Sequence, residues 1–198
     1  MPDLEKAVEK HALDEYYEKA FDLVLSGKSR DAFDLEKEPD EMRERYGRTT
    51  FGQGALLARR LIEAGTRFVQ LNWPAVANGN PEVDSWDTHA SNFGPLKNLH
   101  CPVLDQTLSA LLEDMHERGL LDETLIVAMG EFGRTPKMGQ VTVGAATSAG
   151  GRDHWSHCYT ILMGGAGIQP GTVYGASDSH AGYPANNPVT PEDVVATI

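Results

Sequence analysis

Residues 104–136, LDQTLSALLEDMHERGLLDETLIVAMGEFGRTP, constrain the fold more than any other stretch of the chain. Leu104, Leu108, Leu111, Leu112 and Met115 align on one side of a helix, while Gln106, Ser109, Glu113 and Glu117 face away. Gly119 supplies the stop. The run TLIVAM, residues 124–129, is then apolar without alternation, as expected of a strand covered on both faces of a parallel sheet. A helix leading into such a strand predicts alternating α/β structure. GEFGRTP follows on the C-terminal end of that strand, where open α/β sheets place their ligands.

The rest of the chain is compatible with that frame. Leu13, Tyr17, Phe21 and Val24 make one apolar helical stripe that Gly27 is expected to end. Residues 29–50 are polar and highly charged and are broken by Pro39, which predicts connecting structure with a short helix after the proline. A second helix is predicted over 51–65, with Leu57, Leu61 and Ala64 on one face and Gly65 as its stop. A short strand over 67–72, RFVQLN, precedes a long loop from Trp73 to His89. Loops of that length tend to be functional or mobile. Residues 140–151 are small and glycine-rich and read as a flexible loop. A second buried strand is expected over 158–163, and the glycine and proline positions after it suggest a strand pair. Residues 191–198 start a helix with proline in its first turn. This organisation divides the chain into a helical, charged segment, 1–50, and an α/β portion, 51–198.

Composition excludes several classes. With 198 residues the chain suits one domain that buries a sizeable core. The net charge of -12, from 29 acidic and 17 basic residues, argues against a surface that follows nucleic-acid phosphates. It leaves an anionic small substrate open, because a divalent ion reverses the local potential. No apolar run is long enough to span a membrane, and the first residues lack the basic-then-apolar pattern of a signal peptide. Cys101 and Cys158 form no CxxC motif, so no thiolate metal site is indicated.

Three polar clusters end structural elements: Asp87 and His89 in WDTH, Glu131 and Arg134 in GEFGR, and Asp153 and His154 in GRDHW. Carboxylate and imidazole are oxygen and nitrogen ligands for zinc, manganese or iron. In an extended loop Asp87 and His89 would project to the same side, because side-chain direction repeats every two residues. Each cluster also has a plainer reading: Asp87 and His89 as turn residues, Arg134 as the partner of Glu131, and His154 as a histidine packed beside Trp155. His100 and His116, on or beside the predicted helix, read as surface residues, as does His11. His157 and His180 are closer to the candidate clusters.

The combination of RERYG, FGQGALLARRLIEAG, RFV, WDTH, GEFGRTP and GRDHW resembles the bacterial domain-of-unknown-function family 1501 over roughly residues 15–198. That family is similar in fold to the alkaline phosphatase and sulfatase superfamily. The resemblance implies an alkaline phosphatase-like α/β sandwich, a mostly parallel central sheet flanked by helices, with this chain as its C-terminal portion. It implies that Asp87, His89 and His154 bind a first metal ion, expected to be zinc, with manganese, calcium or magnesium as alternatives. Glu131 stands where the second metal's acid is found, and Asp153 or Arg134 is near enough in sequence to replace its missing histidine. That superfamily commonly reads Asp-His-Gly after the strand, whereas here Glu131, Phe132 and Gly133 follow.

On this resemblance the expected activity is metal-dependent hydrolysis of a phosphate or sulfate ester, with Arg134 and Glu131 catalytic. The substrate would be a small anionic ester or a sulfated or phosphorylated glycan, and the protein would be exported to the periplasm or cell envelope. The nucleophile-bearing segment of such enzymes finds no counterpart in residues 1–50, which places it outside this chain. The alternative expectation is a non-catalytic cell-envelope binding protein that keeps the fold and at most one structural ion.

Overall fold

The computed structural model describes residues 17, 27–73, 86–88, 91–140 and 150–198. Of the N-terminal apolar stripe only Tyr17 lies among them, and it is exposed. Gly27 does not end a helix. It opens α1, Gly27–Phe33, and it lacks the positive φ that a terminating glycine adopts.

Helix α2, Asp40–Tyr46, starts after Pro39 as its sequence predicts. Helix α3, Thr50–Glu63, is capped by Thr49, whose hydroxyl accepts a hydrogen bond from Gly52 N. A third helical stretch is continuous from the short α4, Phe93–Pro95, through a π-helical turn, Leu96–His100, into α5, Cys101–Glu117. The chain closes on α6, Pro191–Thr197, where Thr190 and Asp193 form a reciprocal capping box.

Six short strands lie among the described residues: β1 (Ile126–Ala128), β2 (Gly133–Arg134), β3 (His154–Trp155), β4 (Leu162–Gly164), β5 (Ala176–Ser177) and β6 (Pro184–Asn186). They pair β1 with β4, β2 with β3 and β5 with β6, each antiparallel. The described architecture is therefore mixed α/β with antiparallel ladders; a parallel central sheet is not among them. Residues 67–72 form no strand, and Phe68 is 77% exposed. A strand exists only where a second strand takes its backbone hydrogen bonds, and RFVQLN has no such neighbour among the described residues.

The core lies between α2, α3 and α5. Tyr46, Ala55, Leu56 and Ala110 are buried there, with Leu35, Met42 and Leu111 packed against them. The buried faces overlap the predicted ones only in part: in α5 Met115 is buried, Leu111 packs on the core and Gln106, Ser109, Glu113 and Glu117 are exposed as predicted, whereas Leu104, Leu108 and Leu112 are half-buried. In α3 the buried residues are Gly52, Ala55, Leu56 and Arg59. In α5 they are Thr107, Ala110, Asp114 and Met115. The reason is a buried ionic cluster. Arg59 and Asp114 are each 1% exposed, and Arg59 Nε lies 2.8 Å from Asp114 Oδ2. Arg59 Nη2 reaches Glu38 at 2.9 Å. Both nitrogens are out of line for hydrogen bonds, so these two contacts act through charge. Asp114 also accepts hydrogen bonds from Tyr46 Oη at 2.8 Å and Arg118 Nε at 2.7 Å. Burial and the bond to Asp114 push the Tyr46 phenol up, so it stays a donor. Once α3 and α5 meet through Arg59 and Asp114, Leu104, Leu108 and Leu112 are rotated outward. They line an open groove of about 330 Å³ with Cys101 and Leu162. No helix among the described residues is long and apolar enough to cross a membrane.

Candidate functional site

The hairpin β2–β3 builds the site. Its register sets Arg134 opposite His154 and Gly133 opposite Trp155, so Arg134 and His154 project from one face. Gly133 is required for the pairing, because a Cβ there would overlap Cys158 O and crowd Tyr159. Gly133→Ala is expected to lower stability by about 1–3 kcal/mol through overpacking, measured as a lower urea midpoint.

Onto the Arg134 and His154 face comes the end of the long loop. Thr88 N donates to Trp86 O at 3.0 Å, closing a three-residue turn with Asp87 at its apex. The extended conformation expected for WDTH does not hold over residues 86–88, because that bond bends the chain. His89 lies outside the described residues. Asp87 Oδ1 is 3.0 Å from His154 Nε2 and 3.6 Å from Arg134 Nη2. Arg134 donates from Nη2 to Trp86 O at 2.6 Å and from Nη1 to Arg152 O at 3.3 Å, leaving three of its five N–H groups. The Phe132 ring lies against the His154 imidazole with centroids 4.0 Å apart, which fixes the plane of the histidine.

The other predicted site residues are placed differently. Glu131 is exposed and makes no hydrogen bond or ion pair among the described residues, so Arg134 is not its partner. Asp153 Oδ1 accepts from the backbone N–H of His154, and its own backbone pairs with Thr135 in both directions. His157 packs edge-on to Trp155 with Tyr183 beside it, away from His154 on the other side of the hairpin. His180 is exposed, with its Nδ1 at 3.1 Å from Ser179 Oγ. His116 is exposed as expected.

His100 is the reverse of its expectation: it is fully buried rather than on the surface. Its ring stacks on Trp86 at 5.4 Å and meets the edge of Trp73 at 5.7 Å. The helical period that suggested exposure does not apply at a π-helical turn, which rotates the side chains that follow. Sequence reading also passed over Thr88, Asn92 and Arg152, the residues that brace the site. None carries a periodic signal; Asn92 and Arg152 gain their roles from partners distant in the chain, and Thr88 gains its own through Asn92.

Asp87 Oδ1 and His154 Nε2 contact one another directly, and both are atoms of the type that ligate divalent ions. Two ligands at bonds of about 2.0–2.1 Å in tetrahedral geometry stand roughly 3.3 Å apart, close to the separation of Asp87 Oδ1 and His154 Nε2 seen here. Among the described residues no three His, Cys, Asp or Glu side chains gather into an ion's shell, and the third candidate, His89, is outside them. Carboxylate and imidazole nitrogen are a donor set for zinc or manganese.

No curated protein and no solved structure matches the chain. A family model described as a protein of unknown function, DUF1501, matches residues 3–198, and the chain belongs to that family.

Proposed function

We propose that this protein is a metal-dependent hydrolase of phosphate or sulfate esters. The observation that carries the reading is the meeting of Asp87, His154 and Arg134, two ligand-type side chains and a cation, on one exposed face. Asp87, His154 and His89 hold the ion, with zinc the best match to their donor atoms. When bound, such an ion polarises an ester oxygen and lowers the pKa of a water or enzyme nucleophile. Arg134, with its remaining N–H groups, holds the charged oxygens of the ester and stabilises the charge that develops on them. Glu131, exposed and uncommitted, positions water or contributes with Asp153 to a second ion. The substrate is a small anionic ester or a sulfated or phosphorylated glycan, and an exported location in the periplasm or cell envelope belongs to the same reading. So does an alkaline phosphatase-like sheet, to which β1 leads GEFGR as a ligand-bearing edge.

Phe132 favours a second reading. It occupies the position of a superfamily ligand and packs on His154 instead, as suits a single structural ion in a binding protein. Calorimetric titration of the metal-free protein with zinc, followed by assay of the protein on aryl phosphate and aryl sulfate esters, separates the two. Binding near one equivalent with turnover supports the hydrolase, binding without turnover supports the binding protein, and no binding overturns both.

A further inference from the structure

Asp87 and His154 are 67 residues apart in sequence and are both exposed, so their contact depends on what holds the two chain segments together. Two residues span them. Arg134 donates to Trp86 O on one segment and Arg152 O on the other. On the opposite side of the turn, Asn92 Nδ2 donates to Thr88 Oγ1 at 2.7 Å, and Asn92 N donates to Gly150 O at 3.4 Å. Asn92 and Thr88 are buried, while Asp87 between Trp86 and Thr88 is exposed. In a tight turn, anchoring the residues on either side fixes the direction of the middle side chain. The amide of Asn92 is not placed there for its own satisfaction, because its buried Oδ1 has no hydrogen-bond partner among the described residues. A buried polar atom left in that state is unfavourable, and its retention calls for an explanation.

We propose that Asn92 is a positioning residue: through the Thr88 hydroxyl it aims the Asp87 carboxylate at His154 Nε2, and through Gly150 it sets the segment that carries His154. The proposal rests on the reading of Asp87 and His154 as one site. It does not depend on which ion or ester that site takes. The Asn92–Thr88 bond adds to the hold that Arg134 and the packing of Trp86 on His100 and Trp73 give the loop end.

The test is the rate at which diethyl pyrocarbonate modifies each histidine, read by mass spectrometry, with exposed His116 and His180 as internal references. In the wild type Asp87 shields and engages His154 Nε2. Thr88→Val, which keeps the shape and removes the hydroxyl, and Asn92→Leu are both expected to raise the His154 rate about two- to fivefold, the scale of losing an exposed charged contact. Asp87→Asn should reach a similar rate, and Thr88→Ser, which restores the hydroxyl, should return it to the wild-type value. A wild-type rate in Thr88→Val and Asn92→Leu alongside a raised rate in Asp87→Asn overturns the proposal. So does an unchanged rate in Asp87→Asn, since there is then no contact to position. A uniform rise at His154, His116 and His180, the mark of general unfolding, overturns it as well. Failure of the hydrolase reading shows separately, as absent zinc binding or turnover with the His154 reactivity pattern intact.

Discussion

Asp114→Ala is expected to destabilise the protein by about 3–5 kcal/mol, enough to unfold a domain of ordinary stability. The change takes from the Arg59 guanidinium, 1% exposed, its most deeply buried counter-charge and leaves it Glu38 and the half-exposed Glu63. It also removes the acceptor for Tyr46 Oη and Arg118 Nε. Urea denaturation followed by circular dichroism measures the loss. Replacing both charges by apolar side chains, Arg59→Met with Asp114→Leu, should recover most of it, because a buried pair is weak evidence of net stabilisation while half a pair is costly. A loss below about 1 kcal/mol in Asp114→Ala would show that the cluster is hydrated and not the centre of the helical core.

The same cluster makes stability fall in acid. Burial pushes the Asp114 carboxyl up, but hydrogen bonds from Arg118 and Tyr46 and the charge of Arg59 outweigh it and hold the group below its ordinary range. Burial likewise pushes the Glu38 carboxyl up, but the hydrogen bond from Arg60 and the charge of Arg59 outweigh it, and the group also ends low. A carboxyl depressed in the folded state stabilises it above the unfolded pKa and loses that contribution as pH drops through the folded value. The urea midpoint should therefore be level near neutrality and decline below about pH 4, with a shallower decline in Asp114→Ala if that variant is studied in a stabilising osmolyte.

The other large effect belongs to the site. His154→Ala is expected to weaken zinc binding by about 100-fold or more and to reduce ester hydrolysis to background. The expectation takes the 10- to 100-fold loss from disturbing a supporting residue as a lower bound for removing a ligand. The change should leave the urea midpoint nearly unmoved, since His154 is an exposed side chain. Asp87→Ala should behave alike. Equal zinc affinity in wild type and His154→Ala would remove His154 from the ligand set, and with it the reading of GRDHW as a metal motif.

Much of the local structure is legible from residues alone because its causes lie within a few positions. Pro39 precedes a helix, Thr49 and Thr190 cap theirs, Gly119 ends α5 with a positive φ, and the apolar run before GEFGR is a strand. The glycine and proline pattern of the tail does produce the β5–β6 pair. Propensity, capping and turn chemistry act over one or two helical turns, so a sequence states them directly.

What the tertiary structure alone decided depends on partners far away in the chain. Arg59 and Asp114 look like exposed charges until α3 and α5 meet, and their pairing brings Arg59 and Asp114 into the buried faces of both helices. RFVQLN has the composition of a strand and no ladder to join. His100 is buried because Trp86 and Trp73 come to it. In the candidate site, residue type pointed to Asp87, Arg134 and His154, but only the β2–β3 register and the turn at residues 86–88 bring their atoms within 4 Å. The same geometry leaves Glu131 apart. Side-chain chemistry is written in the sequence, whereas proximity is a property of hydrogen-bonded pairing between segments, and for this chain that pairing selects which candidate residues meet.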